Sequence, residues 1–218
     1  MSSVRFGVDE AGKGPVLGSM FAAAVVASPE TVPGDVADSK TLPPERREAL
    51  AATLRDDERI AVGVAEVPVD RIDDPETDMN SLTVAVQAEA LAAVAEDGLA
   101  GIVDAGDTDE ARFARRVADA VPFEVEVRAE HGADERRPLV SAASIVAKVE
   151  RDAHVAALAD EYGTIGSGYP SDPTTREFLS TYVDEHGDLP PFARASWSTS
   201  RDVLAAAEQS SLDAFETR

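Results

Sequence analysis

Apolar residues along the chain fall into short blocks whose period changes repeatedly, and those changes divide it into strands and helices. Residues 4–9 read as a short buried strand. Residues 15–28, apolar and rich in small side chains, read as a second, and residues 58–69, with Ala, Val and Ile, as a third, longer one. Between them, residues 43–55 form a polar-faced helix opened by Pro43-Pro44. Residues 80–95 are an Ala/Leu/Val helix and 99–104 a short buried strand. Residues 107–118 are a helix opened by Asp and Thr, whose oxygens accept from free first-turn N–H groups. Residues 123–130 alternate Phe/Val/Val with Glu/Glu/Arg, a half-exposed strand. Helices over 138–162, 172–185 and 198–210 complete the chain. Such an order predicts an α/β fold with a mixed five-stranded sheet, helices on both faces and a helical C-terminal extension.

Two apolar runs, Arg5-Phe6-Gly7-Val8 and Gly101-Ile102-Val103, each end in an aspartate. If the two strands are parallel neighbours, Asp9 and Asp104 meet at their carboxyl ends, where open α/β sheets bind ligands.

The 218 residues suffice for one substantial core. The longest apolar run, residues 20–27, is far short of the ~18–20 needed to cross a bilayer, and the N-terminus lacks the basic-then-apolar layout of a secretion signal. A cytoplasmic protein without membrane contact is the expectation. There is no cysteine, which excludes disulfides and thiolate metal sites. Any metal must be held by oxygen or by His131, His154 and His186, and 42 acids against 20 Lys and Arg favour oxygen and hard cations such as Mg²⁺ or Mn²⁺.

The formal charge of −22 is the unusual global feature. Disorder would leave no periodic apolar segments, and an acidic tail would not spread acids over the whole chain. Adaptation to molar salt accounts for both, because the Debye length there falls to ~3 Å and self-repulsion is screened. Abundant Ala and Val with 5% aromatics suit a solvent in which salt already strengthens burial.

In so acidic a chain an adjacent acid pair means little; roughly eight are expected by chance. The pair Asp9-Glu10 gains weight from its setting. It follows a buried strand and precedes Gly12-Lys13-Gly14-Pro15. Successive strand side chains point to opposite faces, so for both acids to serve one site the strand is expected to end or distort there. Gly12 and Gly14 permit that, and let backbone N–H groups approach a phosphate or sugar.

Asp9-Glu10-Ala11-Gly12-Lys13-Gly14-Pro15 resembles the DEAGRGP signature of ribonuclease HII, with Lys13 in place of the commoner arginine. Asp38-Ser39-Lys40 followed by Leu42 is similar to the family's DSK-x-L segment, and Ile102-Val103-Asp104 to its second acidic strand. Asp134 followed by Ser141-Ala142-Ala143-Ser144-Ile145-Val146-Ala147-Lys148-Val149 looks like its fourth acid and SAASIxAKV helix. Gly166-Ser167-Gly168-Tyr169-Pro170 resembles the GSGYP segment of archaeal members. The five segments fall in order over residues 4–185.

The resemblance implies an RNase H-like fold in which Asp9, Glu10, Asp104 and Asp134 form the catalytic, metal-holding cluster. It also implies two Mg²⁺ or Mn²⁺ ions and cleavage of RNA–DNA hybrids and of ribonucleotide-containing duplex DNA to 3′-hydroxyl and 5′-phosphate ends. Asp134 is preferred to Asp152 as the fourth acid because it precedes the helix opened by Pro138 and can reach the sheet end from a loop; Asp152 lies ~21 Å further along that helix at 1.5 Å per residue. Substrate contacts implied are Gly12, Lys13, Gly14, Ser39, Lys40, Ser141, Lys148 and Tyr169. Ser141, Ser144 and Lys148 share one helix face, and all three lysines lie inside matched segments. Tyr169 has the position for stacking on the ribose beside the cut, where the 2′-hydroxyl distinguishes RNA from DNA.

Residues 1–165 are expected as the catalytic domain, 166–208 as a helical extension packed on it, and 209–218 as a tail. Gln209, Leu212 and Phe215 fit the Q-x-x-L-x-x-F peptide by which replication proteins engage a sliding clamp; a frayed helix end reads the same residues equally well. The protein is expected to be a monomer. Two other readings, a different RNase H-fold metal-dependent nuclease such as a resolvase, and a non-catalytic acidic nucleic-acid mimic, leave Gly168-Tyr169-Pro170 or the four acids without a role.

Overall fold

A computed structural model describes residues 3–34, 36 and 42–216, with backbone alone for 210–216. Ser39 and Lys40 lie outside the described residues, as do the side chains of Leu212 and Phe215.

The chain forms two compact units assembled from interleaved segments. The first comprises Met1–Lys13, Met20–Val67 and Thr77–Arg151. It holds five strands, β1 (Arg5–Ala11), β2 (Met20–Ala27), β3 (Ala61–Val67), β4 (Ala100–Asp104) and β5 (Glu126–Glu130), in one sheet of order β3-β2-β1-β4-β5. β1 and β3 flank β2 antiparallel, while β1–β4 and β4–β5 are parallel, so the sheet is mixed as the element order implied. Val8 pairs with Val103, which brings the Asp9 and Asp104 ends together, and the β1–β4 pairing stops there.

Both sheet faces are covered. β2 is buried along its whole length. Its Ala23, Val25 and Ala27 pack with Leu50, Ala51 and Leu54 of α1 (Pro44–Asp56) and with Leu139, Ala142, Ala143 and Val146 of α5 (Pro138–Tyr162). The alternate residues face α3 (Met79–Ala92), which packs on β1, β2 and β3, and α4 (Glu110–Ala120) covers β5. Two glycines permit the close helix approach. A Cβ on Gly7 would lie 2.3 Å from the Leu139 carbonyl carbon, and one on Gly63 would lie 2.3 Å from Ala90 O.

The second unit comprises Gly14–Ser19, Pro68–Glu76 and Asp152–Arg218. It contains the short α2 (Val69–Ile72), the end of α5, α6 (Pro173–His186) and α7 (Ser198–Glu216). Its core joins Val16, Leu17, Ile165, Leu179, Phe192 and Ala193.

Among the expected boundaries that shift, three do so for a local reason that the structure shows. β2 begins at Met20, not residue 15, because the Val16 and Leu17 N–H groups are spent on Gly168 O at 2.8 and 3.2 Å. α4 begins at Glu110, because Asp109 is the cap, accepting from Arg112 N at 2.9 Å, while Asp107 grips the Arg112 guanidinium. β5 begins at Glu126, because Glu124 is tied into a turn with Asp97 and Gly98. α2 was not anticipated. No helix among the described residues is long and apolar enough to cross a membrane.

Candidate active site

The acid pair does not end or distort β1. Asp9 and Glu10 remain in the ladder, paired with Ala23 and Ala22 of β2. They therefore point to opposite faces, and the two covering helices meet them there. On one face Asp9, 6% exposed, accepts a hydrogen bond from Ser144 of α5. On the other, Glu10 Oε2 accepts from Gln87 Nε2 of α3 at 2.5 Å. Gln87 Nε2 also reaches Asp104 O at 3.0 Å. The acids thus straddle the sheet edge at the point where β1 and β4 stop pairing, and Asp104 lies within electrostatic reach of both.

Asp104 Oδ1 accepts from Ala133 N at 2.7 Å, which draws the 3-10 turn Ala133–Glu135 to the end of β4. Asp134 is in that turn, buried at 6%, and its carbonyl accepts from the Ser141 hydroxyl at the start of α5. Ser141 itself is buried, with its hydroxyl turned to this turn.

The two described lysines lie beside the acids. Lys148 Nζ is 2.5 Å from Ser144 Oγ, one turn along α5, and its charge favours the ionised form of Asp9. Lys13 Nζ donates to Gly106 O at 2.8 Å and acts likewise on Glu10. Gly12, φ 90°, turns the chain out of β1, a conformation glycine adopts without strain.

Crowding shows in the titration of the acids. Burial, then the neighbouring Glu10 and Asp104 charges, push the Asp9 carboxyl well above the usual carboxylate range. Burial, opposed by the Gln87 hydrogen bond and Lys13, pushes Glu10 up to about 7.

Sequence reasoning passed over Gln87 and Ser144 as site residues. Gln87 is a fully buried amide within an otherwise Ala/Leu/Val helix, and that contrast was the available signal. Ser144 lies on the noted face of α5 but serves Asp9.

In the second unit, Gly14 and Tyr169 come together: a Cβ on Gly14 would lie 3.6 Å from Tyr169 Cε1. Tyr169 is 39% exposed. Its loop is built by Asp172, which caps α6 through Thr174 N at 3.0 Å and accepts from Ser167 N at 2.6 Å.

Hard divalent cations match the donor set. Asp9, Glu10 and Asp104 are oxygen donors whose mutual repulsion a cation would relieve, although among the described residues no three acids or histidines form a ready-made coordination shell. A mixed α/β sheet ending in coupled carboxylates with lysines at their side is the framework of a cation-assisted phosphodiester hydrolase.

Comparison with known proteins specifies it further. The family described as Ribonuclease HII matches residues 6–200. A ribonuclease HII of Haloarcula marismortui is 69% identical over 97% of this chain and 100% of its own length. The crystal structure of ribonuclease H2 from Pyrococcus horikoshii superposes with a TM-score of 0.87 at 38% identity, covering 94% of this chain and 99% of that one. The ribonuclease HII solved in complex with PCNA from Archaeoglobus fulgidus gives 0.79 at 35%, covering 90% and 96%. The chain belongs to the ribonuclease HII family. It is an endoribonuclease acting on RNA in RNA–DNA hybrids.

Proposed function

We propose that the chain also cuts on the 5′ side of ribonucleotides embedded in duplex DNA, leaving a 3′-hydroxyl and a 5′-phosphate, with Asp9, Glu10, Asp104 and Asp134 holding two Mn²⁺ or Mg²⁺ ions. The observation that supports it is the electrostatic coupling of Asp9, Glu10 and Asp104 across the end of the β1–β4 pair. Bound there, divalent ions supply Lewis acidity and charge neutralisation for an in-line displacement. The protein's own groups orient the acids: Ser144 and Lys148 hold Asp9, Gln87 holds Glu10, and Ala133 N–H holds Asp104. In this reading residues 1–165 carry the chemistry and 166–208 form the helical extension. Gly12, Lys13, Gly14, Ser39, Lys40, Lys148 and Tyr169 contact substrate, and Tyr169 senses the ribose 2′-hydroxyl; Ser141, expected as a further contact, is buried and braces the Asp134 turn instead.

The experiment is incubation with duplex DNA holding one ribonucleotide, with Mn²⁺ in molar KCl, for the wild type and for Asp9→Asn. Cleavage 5′ of the ribonucleotide by the wild type, lost in Asp9→Asn, is the expected result. Cleavage only of long hybrids would reject the embedded-ribonucleotide activity, and full activity of Asp9→Asn would reject the site.

The enzyme acts in this reading as a cytoplasmic monomer in molar salt, consistent with its charge of −22 and its Haloarcula relative. The Archaeoglobus protein's complex with PCNA supports a sliding-clamp role for residues 209–218 through Gln209, Leu212 and Phe215. Deletion of 209–218 should abolish clamp binding in a pull-down; no binding by the intact protein would end the idea.

A further inference from the structure

Arg194 is the largest fully buried side chain among the described residues, at 0% exposure. A buried guanidinium is costly unless its N–H groups and charge are met, and a well-packed apolar residue would often be more stabilising. Two of its hydrogen bonds reach one short segment. Arg194 Nε donates to Gly18 O at 2.9 Å, and its backbone N–H to Val16 O at 2.8 Å. The guanidinium lies 4.9 Å from the centre of the Trp197 ring, a cation–π arrangement. The indole N–H of Trp197 in turn donates to Gly14 O at 3.3 Å. Two side chains three residues apart thereby hold both ends of Gly14–Gly18, the segment that follows the acid pair in sequence.

The anchor is itself fixed. Asp73 accepts from the N–H groups of Ala195 and Ser196 at 2.7 and 3.0 Å, and Gly18 N donates back to Phe192 O at 2.8 Å. The held segment reaches the tyrosine loop directly. Val16 and Leu17 N–H groups converge on Gly168 O, Gly168 N donates to the Thr175 hydroxyl at 2.9 Å, and Tyr169 follows with its ring against Gly14.

We propose that Arg194 and Trp197 are positioning residues for ribose recognition: they fix the Gly14 backbone against Tyr169 so that the two present one surface to the nucleotide at the cut. The inference rests on the reading of Gly14 and Tyr169 as substrate contacts. Arginine suits the task because it stays charged at every working pH and binds a carbonyl and a ring face together.

The test compares Trp197→Phe, Arg194→Met, Tyr169→Ala and the Trp197→Phe/Tyr169→Ala double variant, in molar KCl with Mn²⁺, on a duplex with one ribonucleotide. Trp197→Phe keeps the ring beneath Arg194 and removes only the indole N–H, so it remains informative if Arg194→Met fails to fold. Expected for Trp197→Phe is a KM raised by about three- to tenfold, the value of one hydrogen bond, with kcat within about twofold. Half-saturating Mn²⁺ should not move, because the acids are untouched. The double variant should have the KM of Tyr169→Ala alone, the mark of two groups acting through one surface. Folded Trp197→Phe with unchanged KM, additive effects in the double variant, or a shifted Mn²⁺ requirement would each overturn the inference while leaving Tyr169 in place. An unchanged Tyr169→Ala would instead overturn the reading of that residue, and this inference with it.

Discussion

Gln87 and Glu10 are joined by a 2.5 Å hydrogen bond, and the same amide nitrogen reaches Asp104 O at 3.0 Å. One buried side chain from α3 thereby ties together the two strands that supply the acids, where their pairing ends. Gln87→Leu keeps much of the volume and removes the donor. Glu10 would then hold its proton more tightly, and cation affinity should fall by about 10- to 100-fold, the usual effect of losing a partner of a metal-holding carboxylate. Calorimetric titration with Mn²⁺ at neutral pH measures it. Unchanged affinity would reduce Gln87 to a core filler.

The raised Glu10 value fixes a sign for stability without metal. Its carboxyl titrates at about 7 when folded and near 4.5 when unfolded. As pH rises between these values the unfolded chain has already released a proton that the folded chain still holds, so stability falls, by up to about 3 kcal/mol above the folded value. Glu10→Gln removes this cost. Chelator-treated Glu10→Gln should melt above wild type at about pH 8, with the gap closing towards about pH 5; a gap absent at the higher pH would contradict the assignment.

Much of this architecture was legible because it rests on periods and termini. The apolar runs ending in Asp9 and Asp104 placed those residues at one edge, and the parallel register of Val8 with Val103 is what that required. The sequence did not reveal how Asp9 and Glu10 could share a site. A distorted strand was expected, whereas a regular strand sends the acids to opposite faces and two helices bring Ser144 and Gln87 to them. That solution depends on tertiary packing, which no local pattern encodes. The same holds for Val16 and Leu17, strand-like in composition but bonded through their N–H groups to Gly168 instead.

Gly7→Ala tests the packing that brings α5 to Asp9. The added methyl would sit 2.3 Å from the Leu139 carbonyl carbon and 2.4 Å from Val140 N, both backbone atoms with little room to yield. A loss of about 1–3 kcal/mol is expected, with reduced activity as Ser144 and Lys148 shift from Asp9. Chemical denaturation and cleavage assays read the two effects; wild-type values in both would refute the close approach.

Tyr169→Ala should leave long hybrids cut at near the wild-type rate while single-ribonucleotide duplexes lose about tenfold or more, since a lone ribose offers one 2′-hydroxyl to read. In the proposed reading that reader is the exposed ring beside Gly14. Equal loss on both substrates would assign the ring to general binding.

Salt dependence follows from charge. At −22 the protein repels both itself and a polyanionic substrate. Counterion release favours low salt for ordinary nucleic-acid binding proteins, but it requires many cationic contacts, and here 20 Lys and Arg face 42 Asp and Glu. Exposed pairs such as Arg128–Glu126 at 3.1 Å add little and are screened in any case. Shrinking the Debye length from ~10 Å to ~3 Å therefore removes more repulsion than attraction. Cleavage rate and melting temperature should both rise with KCl into the molar range. A steady fall in rate above ~0.2 M would show that binding runs on long-range attraction after all.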